Sequence, residues 1–80
     1  MARRIPQADR AAVQKQLRRL RVAEGLTQVQ LSVRLGRLQS YVSKYESGER
    51  QLTLLEVREI CRALGLSLER FARDLERALK

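Results

Sequence analysis

Apolar residues recur every three or four positions along most of the chain, a spacing that predicts helices rather than strands. Val13, Leu17 and Leu20 form the first such face, which we expect to follow an N-cap at Asp9 and to end at Gly25. No segment shows the alternation of apolar and polar residues that a half-buried strand requires. The N-terminal third is therefore predicted to be a long amphipathic helix.

Two shorter helices are predicted next, joined by a brief turn. Thr27 and Gln30 have the spacing of a capping box, so a helix is predicted over residues 27–35 with Gly36 as its stop. A third helix is predicted from Leu38 or Gln39 to Ser47, although no side chain at its start is an obvious cap. Two helices joined by about four residues with a glycine are typical of a helix-turn-helix.

Two more helices are predicted in the C-terminal part, each opened by a capping residue. Thr53 and Glu56 form a second capping box, and Ser67 caps a last helix over residues 67–79. Five helices and no strand make the fold all-α. The inward positions of the fourth helix are predicted to be Leu54, Val57, Ile60, Cys61 and Leu64. The fifth helix is predicted to carry a long apolar stripe of Leu68, Phe71, Leu75 and Leu79.

Length and composition narrow the classes of function. The 80 residues suffice for one domain, predicted over residues 9–80 behind a flexible basic arm over residues 1–8, and leave little room for an enzyme pocket. With 17 Lys and Arg against 9 Asp and Glu, the net charge of +8 favours a polyanionic partner. The single Cys61 and the lack of histidine argue against a disulfide or a zinc site, so no cofactor is predicted. No apolar run is long enough for a membrane span, and a cytoplasmic location, in a bacterium or phage-infected cell, is expected.

One stretch of the chain carries a family resemblance. Residues 25–50 read G-L-T-Q-V-Q-L-S-V-R-L-G-R-L-Q-S-Y-V-S-K-Y-E-S-G-E-R, and L-T-L-L-E-V-R-E-I-C-R-A-L-G-L-S-L follows from Leu52. The combination resembles the Xre family of helix-turn-helix transcriptional regulators over roughly Val13 to Phe71. It implies a compact five-helix, lambda-repressor-like domain with its helix-turn-helix at helices 2 and 3 and double-stranded DNA as partner. Ser32 departs from the small alanine that is common in the family, and we expect its hydroxyl to bond the preceding turn.

The third helix is predicted to read the DNA bases. Gln39, Ser40, Ser43 and Lys44 share one side of it, while Val42 and Tyr45 point into the protein. The major groove admits one α-helix, where an amide can pair with adenine and an ammonium can donate to guanine. Tyr41 is expected at the margin of this side, against a phosphate or a thymine methyl, and Tyr45 in the core with its hydroxyl reaching outward.

Other residues are expected to contact the DNA backbone or to brace the reading helix. The resemblance implies that Gln28 contacts a phosphate and braces Gln39. Arg37 and Arg50, together with Arg3 and Arg4 of the arm, are further candidates for phosphate contacts, with a solvated or disordered side chain as the alternative for each. Glu46 would be repelled by DNA, so we expect it to bond inward to the backbone or to an arginine of the first helix.

A homodimer on a palindromic operator is expected, because one helix reads too few base pairs for selectivity. Leu75 and Leu79 extend the apolar edge of the last helix beyond Phe71 and are the predicted dimer contacts, unless they pack only on the first helix. A phage-type repressor, a restriction-modification controller and an antitoxin all fit, and a toxin or RNA polymerase partner cannot be read from the sequence. The alternative class is a protein-interaction module or antitoxin-type adaptor of the same fold. RNA binding is disfavoured because Tyr41 is the only aromatic residue expected to be exposed.

Overall fold

The computed structural model describes residues 4–79, and these form five α-helices without a strand. The all-α, five-helix prediction is therefore confirmed. Every predicted helix is present, and most predicted ends lie within a residue or two of those observed. The helices are α1 (Gln7–Ala23), α2 (Gln28–Leu35), α3 (Gln39–Ser47), α4 (Leu54–Ala63) and α5 (Leu68–Ala78).

The start of α1 differs from the prediction. The helix follows Pro6, whose carbonyl accepts hydrogen bonds from the backbone N–H groups of Asp9 and Arg10 at 3.0 and 3.1 Å. Proline is tolerated before the first helical turn, because its missing N–H leaves no intrahelical hydrogen bond unmade. Asp9 lies in the first turn rather than at the N-cap, so the prediction of an Asp9 cap is wrong, and residues 7 and 8 are helical instead of part of an arm. Arg3, and residues 1–3 as a whole, lie outside the described residues.

The predicted caps of α2, α4 and α5 are all formed. In α2 the Gln30 N–H donates to Thr27 Oγ1 at 3.1 Å and the Thr27 N–H donates to Gln30 Oε1 at 2.9 Å. Thr53 and Glu56 make the same reciprocal pair at the start of α4, at 3.2 and 2.9 Å. Such boxes satisfy backbone donors that a helix start leaves without partners, so these helix starts are fixed locally.

A tight turn sets α3 against α2. Gly36 has a φ of 65°, a left-handed conformation in which glycine avoids the steric cost of a Cβ. The N–H of Gly36 donates to the Val33 carbonyl at 3.1 Å and that of Arg37 to the Ser32 carbonyl at 3.0 Å, the bonding pattern of a Schellman motif. The chain therefore reverses over residues 36–38, and α3 begins after Leu38 without a side-chain cap, as predicted.

The core lies between the five helices: α5 packs on α1 and α4, α4 also packs on α2, and α3 packs on α1 and α2. Ser32 is buried at the α2 side of this contact, and its hydroxyl donates to the Val29 carbonyl at 2.7 Å, as expected. Leu54 was predicted to point inward, but it is 68% exposed, so that prediction is wrong. Leu75 packs against the core as a partly buried residue, whereas Leu79 stays 40% exposed. The completely buried residues are Leu17, Leu31, Val42, Tyr45, Ile60 and Cys61.

None of the helices between residues 4 and 79 is both long enough and apolar enough to cross a membrane.

Candidate nucleic-acid interface

The two sides of α3 have opposite environments. Val42 and Tyr45 are completely buried and fix the helix to the domain. The four polar residues predicted to read DNA all lie on the exposed side, which confirms that they project outward. They are Gln39, Ser40, Ser43 and Lys44.

A buried ionic network holds α3 to the two preceding helices. Arg21 of α1 donates from Nε to Glu46 Oε2 at 2.7 Å and from Nη2 to Glu46 Oε1 at 3.0 Å. The same guanidinium donates to the Leu26 carbonyl at 2.6 Å, next to the start of α2. The hydrogen bond with Glu46 raises the pKa of Arg21 despite its burial. The inward role predicted for Glu46 is thus confirmed, and its partner is an arginine of the first helix.

Gln28 joins this network instead of the exposed side of α3. Its Nε2 donates to Glu46 Oε1 at 3.1 Å, which is a bond to the last turn of α3 and not to the first turn, where Gln39 lies. Glu46 attracts the amide because a carboxylate is a stronger acceptor than a neutral amide oxygen. The predicted bracing of Gln39 by Gln28 is therefore not the arrangement that the protein adopts in this structure. Gln28 therefore braces α3 through Glu46 in its last turn.

Tyr41 is buried rather than at the margin of the exposed side. It is 9% exposed, and its ring meets that of Tyr45 edge-on, with 5.7 Å between the centroids. The guanidinium carbons of Arg37 and Arg50 lie over the Tyr41 ring, 4.4 and 4.9 Å from its centroid. The marginal position expected from the sequence is therefore wrong, and direct contact of this ring with a phosphate or a thymine methyl stays a prediction. Tyr41 instead supports two of the predicted phosphate-binding residues.

Two glutamates of α4 complete this arrangement. Arg37 Nε lies 3.2 Å from Glu59 Oε1, and Arg50 Nη2 lies 2.6 Å from Glu56 Oε2. Sequence reasoning missed both partners, because neither pair has a helical or cross-strand spacing that would bring its members together. We call the set of Arg37, Arg50, Tyr41, Glu56 and Glu59 the arginine cluster.

The arginine cluster borders a shallow recess beside the exposed side of α3. The recess has a volume of about 600 Å³ and opens widely to solvent. Three cationic side chains line it next to the predicted base-reading residues, and two of these cations are paired with carboxylates of α4. Its lining residues are Gly36, Arg37, Leu38, Ser40, Tyr41, Lys44 and Arg50.

The hydroxyl of Tyr45 does not reach outward as predicted. It is buried and forms no hydrogen bond within residues 4–79, and burial raises the pKa of Tyr45. Burial likewise raises the pKa of Cys61, to about 11, so its thiol stays protonated in the core. The described part of the core therefore contains ionisable groups that are kept neutral.

Comparison with known proteins identifies the family. A family model described as helix-turn-helix matches residues 17–71. An uncharacterized HTH-type transcriptional regulator, y4dJ, of Sinorhizobium fredii is 43% identical over 49 residues, which are 61% of this chain and 64% of that protein. A solved structure of an XRE-family like protein from Pseudomonas syringae pv. tomato superposes with a TM-score of 0.83 at 38% identity, covering 91% of this chain and 89% of that one. Together with the geometry of α2 and α3, these matches show that the chain belongs to the Xre family of helix-turn-helix regulators.

Proposed function

We propose that this protein is a sequence-specific transcriptional regulator that inserts α3 into the major groove of double-stranded DNA. The observation that carries the proposal is the division of α3 into a polar exposed side and a fully buried opposite side. A helix with its side chains is about 10–12 Å across, and the groove is about 12 Å wide, so the helix fits with its polar side against the base edges. The rigid attachment of its other side keeps these side chains in register with the bases.

The four exposed residues have distinct roles in this proposal. Gln39 pairs with adenine N6 and N7, and Lys44 donates to guanine O6 or N7. Ser40 and Ser43 are short and can donate or accept, so they contact neighbouring base edges without blocking the approach of the helix. Val42 and Tyr45 make no DNA contact and serve only to hold the reading side outward.

Phosphate contacts complete the proposed complex and set its register. Arg37 and Arg50 lie in the recess next to α3, and Arg4 precedes α1 on the exposed surface. A guanidinium matches a phosphate with two parallel N–H donors, whereas it carries no information on the base sequence. The excess positive charge of +8 supports the same partner through long-range attraction.

We further propose that the protein binds as a homodimer to a palindromic operator. Two copies place two α3 helices about 34 Å apart on one face of the duplex, which doubles the number of bases read. The exposed Leu79 at the end of α5 supports a contact there, and the partly buried Leu75 contributes less than the sequence suggested. Such a protein acts in the cytoplasm on the nucleoid, and it represses when its operator overlaps a promoter.

Selection of bound sequences from a random duplex library tests this proposal. We expect a palindrome with half-site centres about one helical turn apart. Gln39→Ala and Lys44→Ala should each weaken binding to the selected site by about 1–3 kcal/mol, and random DNA by much less. Lys15→Ala, an exposed lysine on α1, is the charge-matched control and should weaken both similarly and slightly.

The salt dependence separates this proposal from a protein-interaction role. A DNA-binding protein that neutralises several phosphates loses affinity log-linearly as the salt concentration rises. Absence of DNA binding even at low salt would favour the interaction module. Unchanged binding of every duplex by both α3 variants would show that α3 is not the reading helix.

A further inference from the structure

The arginine cluster holds its two cations in place without DNA. The guanidiniums of Arg37 and Arg50 lie over the Tyr41 ring, and each also has a carboxylate of α4 within 3.2 Å. Both ion pairs are partly exposed, with side-chain exposures of 39% and 47% for Arg37 and Glu59 and of 43% and 18% for Arg50 and Glu56. A phosphate approaching through the recess would therefore meet arginines that already have anionic partners.

We infer that Glu56 and Glu59 occupy the phosphate-binding positions of Arg50 and Arg37 in the free protein, and that DNA binding displaces these carboxylates while Tyr41 keeps the guanidiniums in place. The inference rests on the proposed function and extends it, because it identifies residues of α4 that lower DNA affinity and a residue of α3 that positions the phosphate contacts.

Energetics make the exchange feasible. Exposed ion pairs contribute only about 0.2–1 kcal/mol, so a phosphate at the duplex surface can replace a carboxylate at little cost. A carboxylate and a phosphate both accept two parallel guanidinium donors, so each arginine can change partner with little rearrangement. The buried Arg21–Glu46 pair is different, because its side chains are only 10% and 4% exposed and its separation would leave two desolvated charges.

Tyr41 preserves the geometry of the arginines during the exchange. Its ring is nearly buried and anchored edge-on against Tyr45, so it is a fixed platform. Stacking of a guanidinium on an aromatic ring contributes about 0.5–1 kcal/mol at an exposed site, which is comparable to the contribution of the displaced ion pair. When a carboxylate is released, the guanidinium thus retains its stacking on the ring and keeps most of its orientational order.

Charge-neutralising substitutions test the competition. Glu59→Gln and Glu56→Gln should each raise the affinity for a random-sequence duplex by about 1.5- to 5-fold at fixed salt, the equivalent of an exposed ion pair. Glutamine at position 56 retains an amide oxygen for the Thr53 N–H, so the cap of α4 survives. Glu49→Gln is the matched control: this exposed residue precedes Arg50 and forms no ion pair within residues 4–79.

A double-mutant cycle separates competition from the general loss of negative charge. In an Arg37→Gln background, the effect of Glu59→Gln should shrink to that of the Glu49→Gln control, because no guanidinium remains to be released. Equal effects of Glu59→Gln in both backgrounds would overturn the inference. If the unmodified protein bound no DNA at all, the proposed function itself would fail, so the two failures are distinguishable.

Substitutions of Tyr41 test its positioning role. Tyr41→Phe keeps the ring and should retain the affinity and the salt dependence. Tyr41→Leu should lower the affinity and make the slope of log affinity against log salt shallower, by about 0.9 for each phosphate that the protein no longer neutralises. An unchanged slope in a folded Tyr41→Leu protein would refute this role. If this variant does not fold, Arg37→Lys tests the same role. Lysine keeps the positive charge but cannot stack as a plane on the Tyr41 ring. Wild-type affinity in this variant would therefore refute the positioning role of Tyr41.

Discussion

Two arginine–glutamate arrangements adjoin α3, and they differ in burial more than in chemistry. Arg21 and Glu46 have side-chain exposures of 10% and 4%, whereas those of Arg37 and Glu59 are 39% and 47%. The first pair links α1 to α3 on the buried side of α3, and the second lies at the rim of the recess beside α3. Burial makes the first pair costly to separate, and exposure leaves the second free to change partner. The same two residue types therefore stabilise the fold in one place and remain available for binding in another.

Removal of Glu46 should have the largest effect on stability. Glu46→Ala leaves the buried Arg21 without its carboxylate and Gln28 without its acceptor, so we expect the free energy of unfolding to fall by about 3 kcal/mol. Urea denaturation followed by circular dichroism measures this change.

Glu49→Ala provides the control for that experiment. It removes the same residue type from an exposed loop position and should change the free energy of unfolding by less than about 0.5 kcal/mol. Similar effects of the two substitutions would mean that the difference in burial has no energetic consequence.

High pH should produce the next largest effect, through two buried groups of α3 and α4. Burial raises the pKa of Tyr45 and brings that of Cys61 to about 11 from an ordinary 9.0. Because both folded-state pKa values are raised, stability is complete below about pH 9 and decreases as the pH rises towards 11, by on the order of 1–2 kcal/mol.

Thermal melting at several pH values checks this prediction. Cys61→Ala removes one of the two titrating groups and should make the decrease with pH less steep, although the smaller side chain also packs less well. A stability that stays constant from pH 8 to about pH 11 would contradict the neutral state of these groups.

Substitution in the exposed Arg37–Glu59 ion pair should change the free energy of unfolding least. Glu59→Gln should alter the free energy of unfolding by about 0.2–1 kcal/mol, and this contribution should shrink in high salt because exposed pairs are screened. Denaturation at low and high salt measures both the change in the free energy of unfolding and its salt dependence. If the free energy of unfolding fell by several kcal/mol at every salt concentration, this pair would be as important for stability as the buried pair of Arg21 and Glu46.

The sequence predicts well those features that depend on neighbouring residues. The capping boxes at Thr27 and Thr53 need only a spacing of three residues, and both are present. The start of α1 was misplaced because Asp9 is a better generic cap than Pro6, which is the N-cap residue in the structure.

Features that depend on tertiary contacts were harder to predict. The outward side of α3 was found by helical periodicity, but the burial of Tyr41 was missed, because an aromatic ring at the edge of a helix is covered only if residues from elsewhere lie over it. The hydrogen bond from Gln28 to Glu46, instead of to Gln39, was missed for the same reason. It depends on where Arg21 holds the Glu46 carboxylate. Leu54 was assigned to the core from the apolar periodicity of α4, yet it is exposed, because its direction depends on how that helix is rotated against α2.

The complete burial of Cys61 has a practical consequence for spectroscopy. The chain has one cysteine, and in the folded protein its thiol is shielded from solvent and protonated. A second cysteine introduced at Ser43 should react alone with a maleimide dye or a nitroxide under native conditions. Fluorescence or electron paramagnetic resonance on such a labelled protein would then report how closely α3 approaches a duplex, without first removing the native thiol.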